Sequence, residues 1–156
     1  MPEHQPPEQR APERIEPQSL GDYLEVMSKA VFQAGMSWKV VEAKWPGIRD
    51  AFRGFDAQAV AHLTPDDLDA LTRDVRVIRN RRKLEAVVSN AGRILELEAE
   101  HGTFRDYLHS HGSFEATASD MRKQFKFLGE MGCYYFLYVV GEEVPPHDEW
   151  QASRRR

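Results

Sequence analysis

Apolar positions recur at intervals of three and four residues along most of this chain, and no stretch alternates residue by residue as a half-buried strand would. The pattern is clearest near the middle. Leu84, Val87, Val88, Ala91, Ile94 and Leu95 fall on one side of a helical wheel, with Glu85, Ser89, Arg93 and Glu96 on the other. A long helix is predicted from about residue 79 to 100, stopped by Gly102. Shorter helices are predicted from their punctuation. Ser19, with Asp22 three residues on, opens a helix that runs to about Ala34 before Gly35. Ser37 opens a short helix carrying Trp38, Val41 and Trp45 and closed by Pro46; another short one runs to Gly54, and Asp56 caps the next. Thr64-Pro65-Asp66-Asp67 joins a capping hydroxyl, a proline at the first helical position and carboxylates suited to the helix dipole. That helix should end near Thr72. Thr103 caps a helix with Phe104, Tyr107 and Leu108, and two more are expected over 115–124 and 130–140. The last is apolar nearly all round and is predicted to be the central core helix.

The fold class that these elements imply is all-α, a bundle of short helices. Residues 1–17 carry Pro2, Pro6, Pro7, Pro12 and Pro17 among polar residues and read as a disordered, proline-rich arm. Residues 18–143 form the helical domain, and 144–156 a polar C-terminal tail. At 156 residues one domain can bury roughly 70% of its unfolded surface. The longest apolar run, Cys133 to Val140, is far short of the ~20 residues of a membrane helix. Met1-Pro2-Glu3-His4 lacks a secretory pattern, so a soluble, cytoplasmic protein is expected. Cys133 is the only cysteine, which excludes an internal disulfide and a four-cysteine zinc site.

Net charge is -4, so any attraction to nucleic acid must be local. It is concentrated between residues 73 and 83, where Arg73, Arg76, Arg79, Arg81, Arg82 and Lys83 crowd the junction of two amphipathic helices, with Val77 and Ile78 placed to plug it. The free N–H groups and positive dipole at the start of the second helix suit a phosphate. Flanking cations would neutralise further phosphates and release counterions. Arg76, Arg79, Asn80, Arg81 and Lys83 are the candidate phosphate contacts, fixing position on duplex DNA without reading sequence. The plainer alternative is a solvated basic loop paired with local carboxylates.

Phe32-Gln33-Ala34-Gly35-Met36-Ser37-Trp38 resembles the signature of the 3-methyladenine DNA glycosylase I family. The resemblance continues through Ala51-Phe52, Phe55-Asp56, the run Asp74 to Lys83, Asn90-Ala91, Phe125 to Gly129 and Cys133-Tyr134, roughly residues 19–147 in all. It implies a helix-hairpin-helix glycosylase fold that flips an alkylated adenine out of duplex DNA and hydrolyses its N-glycosyl bond. Alkylation at N3 makes the base cationic and the bond weak, so the protein must extrude the base and hold it against aromatic faces. By resemblance Trp38 is the base-stacking ring; otherwise it is a core residue of an amphipathic helix. No cofactor is called for.

The chain departs from the family pattern in four places. Ala30 stands where the family has its base-reading glutamate, and the proline-rich arm replaces a segment that supplies a tyrosine and a tryptophan. Of the family's two-cysteine, two-histidine zinc site only His147 has a counterpart, so no metal is expected. Arg76 replaces the hairpin glycine, a strained substitution if that position needs positive φ. No catalytic residue is assigned. Glu42, one turn beyond Trp38, and Glu130, opening the last helix, are the candidate substitute carboxylates; their ordinary readings are a surface residue and a helix N-terminal acid. Three functions therefore stay open: an active glycosylase, a DNA-binding relative without base excision, and a helical interaction domain with no DNA role.

Overall fold

The structure, a computed structural model, describes residues 11–154. Within them lie nine α-helices and no strand: α1 (Leu20–Gln33), α2 (Trp38–Ala51), α3 (Ala57–Ala61), α4 (Pro65–Leu71), α5 (Arg81–His101), α6 (Phe104–His109), α7 (Phe114–Gln124), α8 (Glu130–Val139) and α9 (His147–Arg154). The predicted caps hold several of these starts in place. The Asp22 N–H bonds Ser19 Oγ, the Ala59 N–H bonds Asp56 Oδ1, and Thr64 and Asp67 form a reciprocal capping box. Gly35 and Gly102, both at positive φ, follow α1 and α5.

The long α5 is the hub. It packs against α1, α3, α4 and α6, and its Leu84, Val87, Ala91 and Ile94 are fully buried. The expectation that the apolar 130–140 helix would be central is therefore corrected. Helix α8 lies to one side, against α1 and α7, and leaves Met131 at its outer edge 58% exposed.

Helix α2 differs from its prediction as well. Instead of two short helices broken at Pro46, one helix runs through the proline. Its apolar face, Val41, Trp45 and Ile48, continues at helical spacing across Pro46, and all three are buried. Burying such side chains contributes about 1.5–3 kcal/mol each, enough to offset the ~3 kcal/mol of an internal proline. Beyond α2 a 3-10 turn (Arg53–Phe55) adopts positive φ at all three residues. There Phe55 stacks between Trp45, at 5.4 Å, and Phe52, at 5.5 Å. Gly21 lets this turn lie directly on α1, because a Cβ there would come 2.7 Å from the Phe55 carbonyl oxygen.

Both ends of the described chain are docked. Residues 1–10 of the arm, and Arg155 and Arg156 of the tail, lie outside the described residues. Further along the arm, the Ile15 N–H donates to the Val139 carbonyl, and the Arg14 guanidinium donates to the carbonyls of Tyr138 and Glu142. The first of these bonds satisfies the Val139 carbonyl, an acceptor that the C-terminus of α8 leaves free. The segment read as a polar tail contains α9, whose buried Trp150 stacks on Tyr134 at 4.3 Å. No helix among the described residues is long and apolar enough to cross a membrane.

Candidate nucleic-acid interface and base pocket

Helices α4 and α5 and the turn between them form the basic hairpin. Val77 is 2% exposed and Ile78 packs on the core, so the two apolar residues do plug the junction. The Asn80 side chain accepts from the Lys83 N–H and caps α5. The cations around it divide into three sets. Arg76 pairs with Asp74 at 2.7 Å and Arg81 with Asp69 and Glu85, which holds the Asp74 and Asp69 carboxyls below their ordinary range. All five side chains stay solvent-accessible, which leaves room for a phosphate to share these guanidiniums. Arg79 is exposed and has no hydrogen bond or ion pair among the described residues, while Arg82 lies over the Phe127 ring at 5.7 Å.

Lys83 departs from the expected role. It is 5% exposed, and its ammonium points inward, donating to the carbonyls of Phe32 at 3.1 Å and Ala34 at 2.6 Å. Burial lowers its pKa. The side chain is thus a strut between the hairpin and the last turn of α1, and its charge is engaged there rather than facing a phosphate. At Arg76 the condition for backbone strain is not met. Among the described residues the only non-glycine positions at positive φ are Arg53, Phe55 and Phe127, so arginine at 76 carries no such strain.

The strut bears on Trp38 through the turn at the end of α1. Gly35 reverses the chain there, and Trp38 opens α2 a few residues beyond the carbonyls that Lys83 holds. Farther along α2, Lys44 donates to the Val75 carbonyl, and Gly47 packs so near Arg76 that a Cβ would lie 3.1 Å from the arginine Cβ. The hairpin is therefore fastened to the end of α1 and to the second half of α2, the helix that carries Trp38.

Trp38 lines a hollow of about 740 Å³, inside the roughly 300–1,000 Å³ typical of ligand pockets. Trp45 and Glu42 from α2, Glu25 and Lys29 from α1, and Tyr135 from α8 line it too, and Pro12 and Ile15 of the arm form part of its wall. Glu42 pairs with Lys29 at 3.0 Å, and the Trp45 indole N–H donates to Glu25 Oε2 at 2.8 Å. Burial, then the charges of Glu42 and Glu25, raise the Tyr135 pKa and keep its hydroxyl protonated. Of the two candidate carboxylates, Glu42 is in the hollow and Glu130 is not. Glu130 lies outside, held by Arg122 at 3.4 Å and Arg154 at 2.9 Å. Glu25, Lys29 and Tyr135 were not foreseen in the sequence, while Trp45 was placed on the helix of Trp38 without a role in the hollow. The i,i+4 spacing of Trp38 and Glu42 was visible, whereas α1 and α8 contribute to the hollow only through tertiary packing.

Ala30, where the family glutamate was expected, does not line the hollow. It is 5% exposed and lies 3.7 Å from where a Cβ on Gly132 would be, so close packing of α1 on α8 fills that place. His147 lies against two rings, 5.4 Å from Tyr134 and 5.9 Å from Trp150, and its neighbour one turn on is Gln151. Among the described residues no group of three or more His, Cys, Asp or Glu is placed to hold a metal. The donors around His147 do not fit a zinc ion, which needs four ligands in a closed site.

The sequence model of the methyladenine glycosylase family matches residues 19–124, the span from the cap of α1 to the end of α7. The chain belongs to the methyladenine glycosylase family. Two relatives of this family are the DNA-3-methyladenine glycosylase of Haemophilus influenzae, 32% identical over 130 residues, and DNA-3-methyladenine glycosylase 1 of Escherichia coli, 30% identical over 130 residues. Each alignment covers 70% of this chain and 70% of the relative. The fold agrees. A crystal structure of 3-methyladenine DNA glycosylase I superposes with a TM-score of 0.72 at 26% identity, covering 81% of both chains. The Staphylococcus aureus enzyme, solved to explain 3-methyladenine recognition, gives 0.71 at 25% identity, covering 81% of this chain and 79% of its own. The all-α, glycosylase-like fold expected of the sequence is the fold observed.

Proposed function

We propose that this methyladenine glycosylase family member excises alkylated adenine from duplex DNA, the first step of base-excision repair. The hollow beside Trp38, fastened to a cationic hairpin, carries this reading. Arg79, with Arg76, Arg81, Arg82 and the first N–H groups of α5, offers a sequence-independent phosphate clamp. A nucleotide extruded next to it enters a pocket walled by Trp38, Trp45 and Tyr135. The base arrives with a positive charge, so breaking the C1′–N9 bond returns the bonding pair to the purine and neutralises it. Water adds its oxygen to C1′ and releases a proton. The products are free methylated adenine and an abasic sugar. A cationic leaving group needs no proton donor, so aromatic contact and nearby carboxylates are the contributions asked of the protein.

Replacement of the family glutamate by Ala30 favours the alternative, a relative that binds DNA without excision. One assay separates the two. Excess protein is incubated with a methylated duplex and freed bases are measured by chromatography. Release of 3-methyladenine above the protein-free rate supports excision. Its absence with the duplex bound overturns excision and leaves the DNA-binding alternative.

A further inference from the structure

The hollow already holds a cation, and the chain supplies it. Lys29 Nζ lies 5.2 Å from the centroid of the Trp45 ring and 3.0 Å from Glu42 Oε2. An aromatic face with a carboxylate at its edge is what recognises positive charge in a partly desolvated site. Glu25 completes the arrangement by accepting the Trp45 indole N–H, which fixes the ring and enriches its face. Glu42 is also one turn after Trp38, so the two side chains share a face of α2. A base stacked on Trp38 would turn its edge toward Glu42. The place on α1 where a carboxylate was expected is closed by the contact of Ala30 with Gly132.

Resting on the excision reading above, we propose that Glu42 is the base-recognising carboxylate of this chain and that Lys29 is its resident counter-cation, displaced when a positively charged purine enters. The charge-reading role has moved from α1 to α2. Lys29 then acts as a specificity residue. A neutral base offers Glu42 nothing in exchange for its ion pair and leaves the lysine in the hollow. A cationic base takes over the carboxylate and the tryptophan face, and the Lys29 side chain, already 21% exposed, turns to solvent.

The test is a titration of the full-length protein with two purines of nearly equal shape, permanently cationic 3,9-dimethyladeninium and neutral 9-methyladenine, followed by tryptophan fluorescence. The wild type should bind the cation at least about tenfold more tightly, Glu42→Gln should abolish the preference, and Glu42→Asp should retain part of it. Lys29→Met, which keeps the stem without the charge, should tighten cation binding, and thermal melts establish which variants are folded. If Glu42→Gln does not fold, the Lys29→Met titration reads the same competition with the carboxylate intact. Equal binding of the two purines by the wild type, an undiminished preference in folded Glu42→Gln, or weaker cation binding in Lys29→Met overturns the proposal. Base release is measured alongside. Undiminished release by Glu42→Gln sinks the assignment of Glu42 and leaves excision standing. A Glu42-dependent preference in a protein that releases nothing upholds the assignment and removes excision.

Discussion

Replacing Lys83 by methionine separates a strut from a phosphate contact. The side chain is buried, and its ammonium holds the carbonyls of Phe32 and Ala34 at the end of α1. Methionine fills similar space but donates nothing. Hydrogen bonds to a charged group contribute about 1.5–3 kcal/mol each. Two are lost, and part of the loss is returned because an ammonium no longer has to be kept out of water. The net destabilisation is about 2–4 kcal/mol. For a domain of this size that lowers Tm by roughly 5–15 °C. The same substitution should slow base release, since the turn leading into Trp38 loses its anchor, yet leave the salt dependence of duplex binding unchanged. Arg79→Ala should do the reverse, leaving the melt in place and reducing the slope of log K against log salt by about 0.9, the loss of one phosphate contact. Thermal melts and duplex titrations at several salt concentrations read both quantities. A Lys83→Met protein with an unaltered Tm and a flattened salt slope would refute the strut and restore the phosphate contact.

Gly21→Ala should destabilise by about 1–3 kcal/mol in urea denaturation, because the new methyl group meets the Phe55 carbonyl at 2.7 Å. Trp150→Ala should lower stability by up to about 3 kcal/mol by removing the ring stacked on Tyr134, while zinc chelators should leave the wild-type melt unmoved. Asp69 and Asp74 have folded pKa values below their unfolded ones, so their stabilisation is complete above the ordinary carboxylate range and is lost as pH falls through the lowered values. Urea midpoints should therefore drop in strongly acid solution, and Asp74→Asn should reduce that drop.

Much of the fold was legible because its helices announce themselves locally. Ser19, Asp56, Thr64 and Thr103, read as caps, all have side chains that reach backbone N–H groups three residues on, whereas Asn80, read as a phosphate contact, also turns out to cap its helix. Local rules failed where tertiary contact decides. Pro46 reads as a helix stop, but burial of Trp45 and Ile48 on either side carries α2 through it. Segment 11–17 and α9 looked too polar to dock; Arg14 is engaged by carbonyls at the end of α8, and Trp150 by the ring of Tyr134, neither of which a local window contains. The candidate site divides along the same line. Six cations near one turn were plain in the sequence, but not that Lys83 faces inward while Arg79 faces out. Likewise Trp38 and Glu42 were visible as neighbours on one helix, whereas Lys29 and Tyr135 reach them from other elements. Glu130 was a reasonable candidate by spacing alone, and pairing with Arg122 and Arg154 removes it from the hollow.

The most direct test of the account is single-turnover release of 3-methyladenine from a methylated duplex by the wild type and by Trp38→Ala, with duplex affinity measured on the same preparations. The wild type should release the base, and the variant should do so at least about tenfold more slowly while binding the duplex with similar affinity. Equal release by both proteins, or none by a wild type that binds the duplex, would contradict it.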